Sequence, residues 1–241
     1  DSSTSRGLGD VYKRQAQWTF SVVVDGAGGF VPEPPSALLE RGDFAKVPYL
    51  LGSNSDEGSL FTLQTSIGNE AEYRTLLEQA YGKNADRVLA QYPGSAFSGD
   101  FKAAYTRLVG DSSLVCGTHD VARRAAKAGA KVFMYNFNVT WTVGFGTLGA
   151  AHSSEIGHVF GAPYMPSEGT MRVSDAMNSY WASFARTGDP NFAGAPRTWP
   201  SFTADSDQRL QLDEDFSVLK DFRADACAFW ETLYNEAESA P

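Results

Sequence analysis

The chain has 241 residues, 42% of them hydrophobic and 20% charged, which suits a folded globular protein of one large domain or two small ones and excludes a disordered chain. Twenty Lys and Arg against twenty-nine Asp and Glu leave a formal charge of −9, so no basic field gathers phosphates and a general nucleic-acid binder is excluded. No apolar run approaches the roughly 18 residues that a membrane helix needs, and no charged region followed by an apolar one opens the chain, so no membrane span is expected.

Asp1 to Gln15 (DSSTSRGLGDVYKRQ) shows neither helical nor strand periodicity and reads as a non-native, adaptor-like segment 1–15, with native sequence entering near Ala16. A disordered native arm is the alternative. From Trp18 short apolar runs alternate with helical patterns, which predicts an α/β architecture without internal repeats. Phe20 to Val24 is a short apolar run, and Asp25-Gly26 opens a Gly/Pro-rich loop through Pro35. Ser36 is placed to cap a short helix over Ala37 to Arg41. Val47 to Leu51 is uninterrupted apolar sequence, which predicts a strand buried on both faces, as in a parallel sheet. Gly52 to Gly58 (GSNSDEG) follows as a polar loop at the strand's C-terminal end, where open α/β sheets collect their chemistry.

Asn69 to Tyr81 and Asn84 to Gln91 predict two amphipathic helices separated by Gly82, and Phe101 to Leu108 a weaker third. Asp120 to Lys127 is a further helix, ended by Gly129, and it delivers into the β-prone run Lys131 to Phe137. A Gly-rich loop over Gly144 to Gly149 precedes His152. Ser174 to Arg186 predicts a helix with Tyr180, Trp181 and Phe184 on its packing face, Gln208 to Leu212 a short strand, and Asp221 to Asn235 a final amphipathic helix.

Only three histidines exist, so a general base working near neutral pH has few candidates. His119 starts a charged helix and reads as a solvated terminal residue; His158, in GHVFG, reads as a partly buried structural one. His152 follows a flexible loop after a core strand, where a side chain is presented to a cleft. A His base in acyl transfer needs a carboxylate to fix its tautomer, and Glu57, at the end of the polar loop on the preceding core strand, is the matching candidate. An ordinary acidic turn at Asp56 and Glu57 is the plain alternative. No Gly-x-Ser-x-Gly elbow occurs in the 241 residues; the nearest approach, Gly110-Asp111-Ser112-Ser113-Leu114, puts Leu114 where the strained turn needs glycine, so Ser112 reads as structural. Cys116 and Cys227 are either two lone buried thiols or a disulfide, which would stabilise by about 4 to 5 kcal/mol in the chain-entropy model and imply an oxidising compartment. Asn138-Val139-Thr140 is an N-glycosylation sequon, meaningful only in a eukaryotic secretory host.

Six ordered segments together resemble one family, the type B carboxylesterases, which include cholinesterases and fungal lipases of the α/β-hydrolase fold. They are VDG (Val24 to Gly26), VPYLLGSNSDEG (Val47 to Gly58), GDSSLVC (Gly110 to Cys116), AAHSSEIGHVFG (Ala150 to Gly161), YWASFARTGDPN (Tyr180 to Asn191) and CAFW (Cys227 to Trp230). The resemblance covers residues 16–241 and is to the C-terminal half of that family. It implies an α/β fold, the C-terminal portion of an α/β-hydrolase with a mostly parallel but incomplete sheet flanked by helices. It also implies a serine esterase working on small-molecule esters through an acyl-enzyme, without metal or organic cofactor. In that reading Glu57 is the triad acid and His152 the triad base, following the nucleophile in the family's chain order.

The resemblance further matches Glu155 to a buried carboxylate that orders the His loop, Cys116 and Cys227 to disulfide partners, and Asp111 and Arg223 to a buried ion pair beside them. A disulfide implies an extracellular or periplasmic setting. The family's serine elbow and oxyanion-hole segment lie in its N-terminal half, so this chain alone is expected to be inactive. The strands Val47 to Leu51 and Lys131 to Phe137 should lack their neighbours, exposing an apolar sheet edge prone to aggregate. Trp141 and Phe145 suggest an apolar pocket rim, or simply packing. The competing function is a non-catalytic adhesion or interaction domain on the same fold, against which the presence of both Glu57 and His152 argues.

Overall fold

The computed structural model describes residues 24–144 and 146–238, so the expectations for 1–15 and for most of Phe20 to Val24 lie outside the described residues. Two compact units are distinguished, Asp1–Leu38 and Leu39–Pro241. The described part of the first holds a turn in which the Asp25 carboxylate accepts from the N–H groups of Phe30 and Val31, each at 2.8 Å. Helix α1, Pro35–Arg41, begins one residue before Ser36, because a proline is tolerated at a first helical position, so Ser36 lies inside the helix and not at its cap.

The second unit carries a four-stranded sheet in the order β1 (Tyr49–Asn54), β2 (Val132–Phe137), β5 (Gln208–Leu212), β6 (Val218–Lys220). The pairs β1–β2 and β2–β5 are parallel, with Tyr49 opposite Val132 and Tyr135 opposite Leu210; β6 closes the far edge antiparallel to β5. This is the α/β class with a mostly parallel sheet that the sequence predicts. Strand β2 nevertheless has a neighbour on each side, contrary to expectation. Among the described residues β1 has only one, which is why its first four residues are half-buried and not covered on both faces.

Side chains along β2 alternate between two cores, as a pleated strand requires. Phe133 and Phe137 pack with Met177, Tyr180, Trp199 and Leu212, whereas Val132 and Met134 pack with Ala122, Ala125 and Phe202. In the first group Met177 and Tyr180 lie on α8 (Glu168–Thr187) and Leu212 on β5; in the second Ala122 and Ala125 lie on α6 (Cys116–Lys127), while Phe202 bridges Val132 from outside the helices. A third core around Tyr73, Leu77, Val88, Leu108 and Trp230 joins α3 (Glu70–Tyr81), α4 (Ala85–Gln91), α5 (Phe101–Gly110) and α9 (Ala224–Glu238).

Three further helices differ from their predicted extents for identifiable reasons, and α9 is displaced by three residues, from 221–235 to Ala224–Glu238. Helices α5 and α6 are joined through a π-helical turn, Asp111–Val115, into one continuous rod, so α6 starts four residues before Asp120. Helix α8 starts at Glu168 because Ser167 and Thr170 form a reciprocal capping box, a cap without the usual Glu or Gln. The Gly-rich stretch is not loop but a hairpin, β3 (Trp141–Val143) with β4 (Gly146–Gly149). Trp141 stacks on Tyr164 at 5.2 Å, a packing role, while Phe145 lies outside the described residues. Cys116 and Cys227 form a disulfide with Cα atoms 4.8 Å apart, tying α6 to α9. Among the described residues no helix is long and apolar enough to cross a membrane.

Candidate functional site

Two chain segments meet at the C-terminal end of β1. The strand runs to Asn54, three residues further than its apolar composition indicates, because all six residues stay in register with β2. The extended path continues to Asp56, which bridges Ala151 in parallel. Glu57 then precedes a single helical turn, α2 (Gly58–Phe61). That turn lies so close to α5 that a Cβ on Gly58 would sit 1.9 Å from the Thr106 carbonyl oxygen, so only glycine fits beside the acid.

The second segment leaves β4, passes Ala150 and Ala151, both buried, and turns at Ser153 with φ of 67° before helix α7 (Ile156–Val159). His152 sits on this turn. Its Nδ1 is 2.7 Å from Glu57 Oε2, and Glu57 Oε1 accepts from the Asn54 N–H at 2.8 Å. A carboxylate accepts and does not donate, so Nδ1 carries the proton, and in the neutral ring that leaves Nε2 with its lone pair. Glu57 is 6% exposed, whereas the His152 side chain is 37% exposed. A buried acid therefore holds a partly exposed ring. The Phe61 ring lies against the imidazole at 5.0 Å.

Burial raises the Glu57 carboxyl above its usual range; the Asn54 N–H and His152 oppose this, and the charge of Glu155 adds to it. A cleft of about 420 Å³ opens behind Glu57 between Asp56, Thr62, Leu63, Arg107 and Leu148, but His152 is not part of its wall. Among the described residues no group of three or more His, Cys, Asp or Glu is arranged to hold a metal ion.

The remaining candidates separate cleanly. Glu155 is half-buried, less than expected, because α7 lies at the surface; its Oε2 accepts from Asn54 Nδ2 at 2.5 Å. Asp111 and Arg223 form an ion pair at 3.2 Å, with Asp111 2% exposed, and Arg223 Nη2 also donates to the Ser55 carbonyl at 3.2 Å, bracing the acid loop from the start of α9. Tyr92 donates to Asp111 and accepts from Trp230.

His119 is not solvated. The early start of α6 places it in the first turn of that helix, where its Nε2 lies 3.1 Å from Asp207, itself 2.8 Å from the fully buried Arg209. His158 is 5% exposed and packs edge-on against Phe137, in line with a structural role. The Ser112 hydroxyl turns back to the Val109 carbonyl at 3.4 Å. Asn138 of the sequon is exposed beyond β2. Sequence reasoning missed Phe61, Asn54 and Asp56; the signal available for the last two was that alternate residues of an extended chain face one way.

A model of the carboxylesterase family matches residues 4–230. The chain is 31% identical to an acetylcholinesterase of Bungarus fasciatus over 248 residues, covering 91% of this chain and 40% of that relative.

Proposed function

The chain belongs to the carboxylesterase family, and from that premise we propose that it carries the acid and base of a serine carboxylic-ester hydrolase acting through an acyl-enzyme. The observation that carries the reading is the 2.7 Å bond between His152 Nδ1 and Glu57 Oε2 on an otherwise accessible ring. Because the chain spans about 40% of the length of its curated relative and holds no Gly-x-Ser-x-Gly, the serine hydroxyl in this reading comes from outside these 241 residues.

In the acylation step His152 Nε2 takes the serine proton as the oxygen bonds to the ester carbonyl carbon, then returns it to the departing alkoxide as the carbon–oxygen bond breaks. Deacylation repeats this with water as the attacking group. Glu57 keeps the ring in the Nδ1–H tautomer and stabilises the imidazolium formed between the two transfers, without taking the proton itself. The substrate class is small-molecule esters, and the disulfide supports function in an oxidising, extracellular or periplasmic compartment.

The test is steady-state hydrolysis of a simple aryl ester by the longer protein that bears the serine. Glu57→Gln or His152→Ala should lower kcat on the order of 10⁴-fold with the fold intact. Turnover near that of the unsubstituted protein in either variant contradicts the role given to that residue. The 241-residue chain by itself should neither hydrolyse the ester nor be labelled stoichiometrically by a serine-directed phosphonate.

A further inference from the structure

We infer that Asn54 is a positioning residue, whose side-chain amide holds the His152 loop against the Glu57 loop so that imidazole and carboxylate stay in bonding contact. The inference rests on the reading of those two residues as the acid–base pair. Asn54 is 1% exposed and is the last residue of β1. Its two amide protons are both used across the gap: Nδ2 donates to the Ala151 carbonyl at 2.7 Å and to Glu155 Oε2 at 2.5 Å. Ala151 immediately precedes His152 and Glu155 follows it by three residues, so one amide grips the turn on both sides of the imidazole. The backbone N–H of the same residue donates to Glu57 Oε1.

Two features distinguish this from packing. The amide can sit only one way round, since reversing it would set its oxygen against two acceptors. Its Oδ1 is buried with no hydrogen-bond partner among the described residues, a cost that an apolar side chain of similar size would not incur. The site therefore needs the donors. The backbone bond to Glu57 survives substitution at residue 54, whereas the amide's two bonds to the His152 loop do not. A second clamp keeps such variants folded: Asp56 Oδ2 accepts from the Ala150 N–H at 3.0 Å, and the Asp56 N–H donates to the Ala150 carbonyl.

Long-range ¹H–¹⁵N spectra of the imidazoles in the full 241-residue chain, which has three histidines, test the inference. Asn54→Ala and Asn54→Ser, each checked for a cooperative melt, should lose the low-field Nδ1–H resonance of His152 and shift its ring to a mixture of tautomers, while His119 and His158 keep their signals. Glu155→Gln, which still offers Asn54 an oxygen, should retain the resonance. Retention of that resonance in either folded Asn54 variant overturns the inference. So does fast solvent exchange of the Asn54 amide protons in the unsubstituted chain, a reading that needs no variant. Failure of the underlying pair is read separately: if Glu57→Gln leaves the His152 spectrum unchanged, the acid–base assignment falls, whatever Asn54 does.

Discussion

Glu57 and His158 are both shifted by burial, in opposite senses for stability. The buried Glu57 carboxyl is raised above its usual 4.5, so between that value and the raised one the folded chain retains a proton that the unfolded chain has lost. Stability from this group is therefore present at low pH and lost as pH rises through the raised value. Glu57→Gln removes that loss, and denaturant midpoints from pH 4 to 8 should fall less steeply in the variant. Its amide N–H would face Nδ1, however, and impose the wrong tautomer on His152. His158 is held below its usual 6.5 by burial, against weaker opposition from the Ser154 carbonyl and Glu155. The unfolded chain takes up the proton first, so stability is lost as pH falls below about 6.5. His158→Phe, which preserves the ring packed on Phe137, should flatten the midpoint between pH 8 and 5; an unchanged slope would remove His158 as its source.

At the scale of elements, the acid loop is braced from two directions, by the His152 turn and by the start of α9. Arg223 is the link to the latter, bonded to both Asp111 and the Ser55 carbonyl. Arg223→Ala leaves the Asp111 carboxylate buried without its cation and should cost about 3 to 5 kcal/mol, read as a lowered urea midpoint at neutral pH. A loss below about 1 kcal/mol would show that the pair is not the brace described. Neither brace could be seen from local pattern alone. Helices α3 and α4 were legible because Asn69 caps the first, accepting from Glu72 N–H, and Gly82 interrupts the apolar period between them. The end of β1 was not, because Gly52-Ser53-Asn54 has turn composition and is strand only through its register with β2. The hairpin β3–β4 was hidden by its glycines for the same reason. Glu57 and His152 stood out by residue type and by resemblance. Asn54 did not, since its amide acquires meaning only from a carbonyl 97 residues away.

Across the whole molecule, the sheet brings together residues nearly a hundred positions apart by parallel pairing of β1 with β2 and by one further bridge, Asp56 to Ala151. The disulfide fastens the last helix to the body, and its anchored end supplies Arg223 to the acid loop. In the proposed reading, fold and site together present a single nitrogen of one imidazole. The ¹⁵N shifts of His152 in the unsubstituted chain at neutral pH test this most directly. A protonated Nδ1 with a low-field proton and a bare Nε2 is the predicted result; a protonated Nε2 with an unbonded Nδ1 would contradict it.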